Sequence, residues 1–197
     1  MGLQVWKIGG SLLPLADLPE RIVSLFERET PKAVVLVMGG GEKIRELENA
    51  NPNPNGLKEH WAAIEIMRNN AEELVKALPG SRLTSGHCQL GKGLQVLDPL
   101  AFCLADHNRD GDYYLPENRG TRSDSIALRL AILQGASRLV LVKSKNFAAP
   151  GENPLPGLKG YFDPFFFQLL KARPPSLEIL AINFRSLPLG NLIPIPL

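Results

Sequence analysis

Two apolar runs in this chain end in glycines, and no other feature restricts the fold as much. VWKIGGS sets Lys7 just ahead of Gly9, Gly10 and Ser11, and VVLVMGGGE leads from Val34 through Val37 into Gly39, Gly40 and Gly41. Each run reads as a short buried strand, and a helix-like segment follows each. A strand that stops in glycines and opens a helix aims several backbone N–H groups at one place. Glycine lets the backbone approach a ligand closely, and the helix N-terminus adds positive potential. Two such turns, the first with a lysine built into it, point to a polyphosphate.

The rest of the chain keeps the same alternation. Strands are expected at 3–8 and 33–37. A helix over 17–29 places Ile22, Leu25 and Phe26 on one face, and further helices cover 41–50 and 57–78. NPNPNG at 51–56 separates those two helices, and Pro79-Gly80 ends the second. The stretch 81–120 reads as irregular. A helix over 122–135 and a strand over 138–142 form the next unit, followed by a Gly- and Pro-containing excursion at 144–163 and a last strand at 177–182. This order implies an α/β fold with a mostly parallel sheet covered on both faces. Ligands then sit beyond the carboxyl ends of the strands, where both glycine turns lie. At 197 residues the chain fits a single domain, 1–197.

Composition excludes several classes of partner. A formal net charge of +2, with lysines and arginines scattered, argues against nucleic acid and against an anionic membrane surface. No apolar stretch reaches the roughly 20 residues that span a bilayer, and Lys7 with its glycines interrupts the only early apolar run, so no signal peptide is expected. Cys88 and Cys103 match no paired metal or redox spacing. They are expected as reduced, packed thiols in a cytoplasmic protein.

A third informative stretch runs from Gly120 to Ser144, GTRSDSIALRLAILQGASRLVLVKS. Thr121 or Ser123 can cap its helix and Asp124 suits the first turn, which by itself is a structural account. The strand that follows leads to Lys143, a second lysine at a carboxyl-terminal strand edge. Asp124, Lys143 and Lys7 at one sheet edge would form a charge cluster able to hold and neutralise a triphosphate. Two other motifs compete for attention. Gly86 to Gly93 matches G-x-x-x-x-G-K, but Gly93 stands where a P-loop needs Ser or Thr, and neither a preceding strand nor a following helix is expected. Asp106, Asn108, Asp110, Gly111 and Glu117 fit a calcium-loop template, yet Pro116 and Asn118-Arg119-Gly120 deny the exiting helix; a polar loop over an active site is the simpler reading. His60, beside Trp61 at the start of the long helix, reads equally as a core residue or as a ligand contact.

Taken together, KIGGS, VMGGGE, TRSDSIAL and LVLVKS resemble the amino acid kinase superfamily, which includes aspartokinases, acetylglutamate kinases and bacterial-type uridylate kinases. The likeness runs in order from about Val5 to Val142. His60-Trp61-Ala62 with Met67, SDSIA at 123–127 and the short length resemble, within it, the small aspartokinase-like kinases of methanofuran biosynthesis, which convert an aminomethyl-furan-methyl phosphate into its diphosphate. The resemblance implies a three-layer αβα sandwich and ATP with Mg²⁺ bound without a P-loop. It also implies a small phosphorylated or carboxylated acceptor and a homo-oligomer. In the roles it implies, Lys7 contacts the transferred phosphoryl group, Asp124 organises the lysines, and Lys143 lies near the nucleotide phosphates. Gly9, Gly10, Ser11 and Ser144 line the phosphate path. Gly39, Gly40, Gly41 and Arg45 face the acceptor, with His60, Thr121 and Ser123 as further acceptor-side candidates. One departure stands out. The family's Val-Asp-Gly after the strand is replaced by Ser144-Lys145-Asn146, in which asparagine still tolerates a left-handed turn. That departure favours the alternative, a non-catalytic nucleotide- or metabolite-binding protein on the same fold.

Overall fold

The computed structural model describes residues 2–50, 56–87, 90–107, 114–146 and 160–195. Its centre is a seven-stranded sheet built from β1 (Leu3–Ile8), β2 (Ala33–Met38), β3 (Leu83–Thr84), β4 (Gly93–Leu97), β5 (Arg138–Lys143), β6 (Glu178–Asn183) and β7 (Ile193–Pro194). The order is β3-β4-β2-β1-β5-β6-β7. Every pairing is parallel except that of β6 with β7. β2 is buried along its whole length, as a central parallel strand covered on both faces requires, and its run AVVLVM supplies no polar side chain. The chain leaves β1 toward β2 on one side and returns to its other side as β5. β1 is therefore the switch point of the sheet, where a cleft opens beyond the strand ends.

Side-chain parity decides which way the site residues face. Val5, Val35, Val37, Leu139 and Leu141 pack into one core. That core is covered by α4 (Pro99–His107), α5 (Ser123–Leu133) and α6 (Phe166–Leu169), with Ile64 and Met67 from α3 (Leu57–Ala77). Trp6, Ile8, Val34, Leu36, Val140 and Val142 form the opposite core against Leu18, Ile22 and Leu25 of α1 (Leu18–Glu29) and Ala71 and Leu74 of α3. The result is a three-layer αβα sandwich. Lys7 shares the parity of Val5, and Lys143 that of Leu139 and Leu141, so both lysines rise on the face that carries α5.

The expected elements at 3–8, 17–29, 33–37, 57–78, 122–135, 138–142 and 177–182 lie within a residue or two of those observed. The expected helix at 41–50 is α2 (Glu42–Ala50). The stretch 81–120 departs from its irregular reading. It contains β3, β4 and α4, the last started by Asp98, whose carboxylate accepts the N–H groups of Leu100 and Ala101 at 3.0 and 3.1 Å. Within the G-x-x-x-x-G-K match, Gly86 follows the two-residue β3, Cys88 and Gln89 lie outside the described residues, and Gly93 opens β4. A strand thus stands where a P-loop needs a helix. Of the expected excursion at 144–163, residues 147–159 lie outside the described residues. Cys103 is buried among apolar side chains, and burial pushes its thiol far up. Among the described residues no helix is long and apolar enough to cross a membrane.

Candidate functional site

The two glycine turns lock together at the carboxyl ends of β1 and β2. Gly9 donates its N–H to Val142 O of β5 at 2.8 Å, and Gly39 donates to Ile8 O of β1 at 2.9 Å. Between them the backbones run so close that a Cβ at Gly10 would collide with the Gly41 nitrogen, and one at Gly39 with the Gly10 nitrogen. Gly41 adopts φ 69°, a conformation that disfavours a side chain. Asn70 of α3 secures the second turn from below, its amide donating to Gly39 O at 2.9 Å and Gly40 O at 3.3 Å. Gly10→Ala is expected to destabilise the protein by about 1–3 kcal/mol, the usual cost of overpacking a tight contact. Thermal melting checks this, since each kcal/mol lowers the midpoint by about 2–4 °C in a chain of this size.

Above the turns, Asp124 at the start of α5 joins the two lysines. Its Oδ1 lies 3.0 Å from Lys7 Nζ and 2.8 Å from Lys143 Nζ. All three side chains are largely buried, with Lys7 and Asp124 each only 6% exposed. Lys143 also donates to the Tyr161 carbonyl at 2.8 Å and sits 4.8 Å over the Tyr161 ring. Burial pushes the Asp124 carboxyl up, but the two ammonium groups outweigh it and hold it below the ordinary carboxylate value. Burial, then the charge of Lys7, draws Lys143 down to about 8, with Asp124 opposing. Two cations on one carboxylate leave a net positive charge in a sparsely solvated pocket. A phosphate would complete such a group.

Around this triad lies a cleft of about 490 Å³, lined by the glycine turns, Arg45 and Glu48 of α2, Arg122, Ser123, Tyr161 and Asp163. Among the described residues Arg45 has no ion-pair partner, whereas Arg122 is 2.7 Å from Glu48, with Arg119 3.6 Å from the same carboxylate. Ser11 Oγ donates to Ser144 Oγ at 2.8 Å, tying the first glycine turn to the end of β5.

Some expected residues fall elsewhere. His60 is 2% exposed, with Nδ1 2.9 Å from Asn118 O and its ring edge-on to Trp61; with Thr121 it lines a small recess that shares Ile44, Glu48, Met67 and Arg122 with the cleft. Thr121 donates its hydroxyl to Pro116 O at 2.7 Å, and neither it nor Ser123 caps α5. The cap comes from Asp163, whose Oδ2 accepts the Ser125 N–H at 2.9 Å across 38 residues. Asn146 has no positive φ: Thr30 (φ 46°) is the one non-glycine described residue that does. Instead its side-chain oxygen accepts from the Asn183 amide at 3.0 Å.

The calcium-loop reading does not survive where it can be checked. Asp106 is fully buried, 2.9 Å from Arg129 Nε, and accepts the Leu115 N–H at 3.0 Å. Glu117 accepts from Trp61 Nε1 at 3.0 Å. Asn108, Asp110 and Gly111 lie outside the described residues. Among the described residues no group of three or more His, Cys, Asp or Glu is placed to hold a metal ion.

This architecture is the amino acid kinase-like α/β fold. Among solved structures, the uridylate kinase from Archaeoglobus fulgidus matches at TM-score 0.58 and 17% identity over 90% of this chain and 89% of that one. The UMP kinase from Bacillus anthracis matches at 0.63 and 13% over 98% and 95%. The aspartate kinase from Synechocystis matches at 0.62 and 15% over 98% of this chain but 40% of its own. No family model and no curated protein matches the sequence.

Proposed function

We propose that this protein is an ATP-dependent phosphotransferase that acts on a small anionic acceptor, with the Lys7–Asp124–Lys143 triad beside the interlocked glycine turns as the observation that carries the reading. The chemistry of phosphoryl transfer asks for positioning and charge neutralisation, not for a covalent intermediate on the protein. An acceptor oxygen forms a bond to the γ-phosphorus, the β–γ bridging P–O bond breaks, and ADP leaves with the electron pair. Lys7 and Lys143 offset the negative charge on the transferring group, and Asp124 keeps the two ammonium groups from separating. Gly9, Gly10, Ser11 and Ser144 line the donor phosphates, and Gly40 and Gly41 offer N–H groups on the acceptor side, with Gly39, whose own N–H is held by Ile8 O, fixing the turn behind them. The close-packed glycine turns at the strand ends and the second cation on the Asp124 carboxylate support a polyphosphate. Mg²⁺ would enter as the counter-ion of the nucleotide phosphates, as it does where one or two carboxylates and the substrate share its coordination.

Arg45 supports a phosphate on the acceptor, and hence a diphosphate product. The UMP kinases that share this fold are named for an acceptor of that class. Arg45→Ala is expected to raise the acceptor KM about ten- to a hundredfold, the equivalent of one charge-assisted hydrogen bond, with a smaller change in kcat. Steady-state kinetics at saturating ATP measures it. The finer assignment is (5-aminomethylfuran-3-yl)methyl phosphate, giving its diphosphate. The deciding experiment incubates the protein with ATP, Mg²⁺ and a panel of small monophosphates and carboxylates headed by that compound, followed by ³¹P NMR. ADP with a new diphosphate resonance supports the reading. ATP binding without consumption by any acceptor would establish the non-catalytic alternative, which the unusual Ser144-Lys145-Asn146 sequence favours.

A further inference from the structure

We infer that Asp163 is a positioning residue, a cap lent from a distant segment to α5 that keeps Asp124 and the Tyr161 carbonyl in register with Lys143. A helix of this kind starts with unsatisfied N–H groups, ordinarily met by a Ser, Thr, Asp or Asn at the N-cap. In α5 the N-cap position is Arg122, which makes no side-chain cap, and Thr121 and Ser123 make none either. Asp163 takes the vacant role from 38 residues away. Its Oδ2 accepts the Ser125 N–H at 2.9 Å, its Oδ1 accepts the Ser125 hydroxyl in a short bond, and the same oxygen accepts the Phe166 N–H at 3.0 Å, so one carboxylate joins the starts of α5 and α6.

One neighbour of this clasp belongs to the triad and the other holds it. Asp124 directly precedes Ser125 on the clasped turn. Tyr161, two residues before Asp163, offers the carbonyl that receives Lys143 at 2.8 Å. Asp163 itself is 5% exposed and lines the cleft. Releasing the clasp would free the 160–163 segment from α5 and remove one of the two acceptors that fix the Lys143 ammonium. A structural cap alone does not require a buried carboxylate at a cluster already carrying Asp124. Burial, then the charge of Asp124, raises Asp163 to about 6, while the bonds from Ser125 and Phe166 resist that rise. The other charged groups on this cleft are Lys7 from β1, Lys143 from β5, Arg45 and Glu48 from α2, and Arg122. A carboxyl whose folded value lies above its ordinary one costs stability once ionised, so stability from this group falls as pH rises from about 4 to about 6.

The inference rests on the phosphotransferase reading for its kinetic test, and a second measurement is independent of activity. Asp163→Asn keeps the shape but cannot accept all three bonds. The expected results are a melting temperature at pH 7 near that of the wild type, a fall in kcat of ten-fold or more with little change in either KM, and loss of an acid limb near pH 6 from the kcat/KM profile. Independently, acetylation of Lys143 by limiting acetic anhydride, read by mass spectrometry, should quicken several-fold in Asp163→Asn because the Tyr161 segment no longer covers the amine. Ser125→Ala, which removes one of the three bonds, should shift the labelling in the same direction by less, and it carries the test should Asp163→Asn fail to fold. Lys143 labelling unchanged in the folded variants would overturn the inference, whether or not the protein consumes ATP. An unchanged kcat and acid limb in a protein that does consume ATP would also overturn it.

Discussion

Lys7→Ala is expected to lower turnover by about two to three orders of magnitude and to leave the fold intact. The magnitude follows from removing one preorganised charge from a site with little water, a loss of about 10²–10³-fold in comparable oxyanion sites. The fold survives because Asp124 keeps its 2.8 Å pair with Lys143, so no buried carboxylate is orphaned. The variant also carries an internal check. The charge of Lys7 is the second cause, after burial, that draws Lys143 down to about 8. Removing it lets Lys143 hold its proton to higher pH. If Lys143 serves the proposed transfer as a cation, wild-type kcat/KM is expected to fall as pH rises through about 8, and in Lys7→Ala the residual activity is expected to persist to more alkaline pH. Stability shifts in a consistent sense. A lysine depressed from 10.5 to about 8 binds less proton when folded, so wild-type stability rises between those values, and the rise shrinks in the variant. Single-turnover kinetics and thermal melts between pH 6 and 10 measure both. Turnover near that of the wild type in a folded Lys7→Ala protein would remove Lys7 from the reaction.

The parts of the site that sequence reveals are those set by local chemistry. Lys7, Asp124 and Lys143 each sit at a strand or helix end that periodicity marks, and the parity of Lys7 with Val5 and of Lys143 with Leu141 is enough to send both toward α5. The two glycine turns are equally legible, because only glycine permits the contact between Gly10 and Gly41. What sequence conceals is long-range. Asp163 stands at the end of the chain excursion, and its work is done on Ser125; the only local trace is a helix start where Arg122 makes no cap. Asn70 looks like one polar position on a long helix, and its bonds to Gly39 and Gly40 depend on how α3 crosses β2. Asp98-Pro99 marks the start of α4, but Gln95 interrupts the apolar run of β4 before it. That glutamine is 2% exposed and bonds to the Gly91 carbonyl at 2.8 Å, a tertiary solution that a hydropathy pattern treats as a surface. His60 reads evenly in the sequence because a histidine beside a tryptophan suits a wall as well as a ligand; what the sequence hides is its bond to the Asn118 carbonyl, 58 residues away.

Asp124→Asn has the larger consequence for stability, because it removes the one anion held between two largely buried cations. Lys7 and Lys143 both meet Oδ1, at 3.0 and 2.8 Å, and an amide in its place can accept a hydrogen bond but cannot neutralise charge. Breaking a buried ion pair from one side costs about 3–5 kcal/mol, and here two like charges are left facing each other. The protein can relieve the repulsion by releasing a proton from Lys143, already lowered to about 8, so the value falls further. The unfolded chain then binds more protons than the folded one across neutral pH, and the stability of Asp124→Asn rises as pH increases from 7 to 9, more steeply than that of the wild type. Turnover falls at least as far as in Lys7→Ala, since one of the two cations is lost and the other is no longer held in place. Asp163 responds in the opposite sense: Asp124 is the second cause of its elevation after burial, so its acid limb moves below 6. Adding Lys143→Met to Asp124→Asn removes the repulsion and is expected to restore most of the melting temperature while activity stays lost. That separation of stability from turnover distinguishes a charge triad built for transfer from one kept for packing. An Asp124→Asn protein that melts like the wild type at pH 7 and keeps its turnover would show that the triad carries neither.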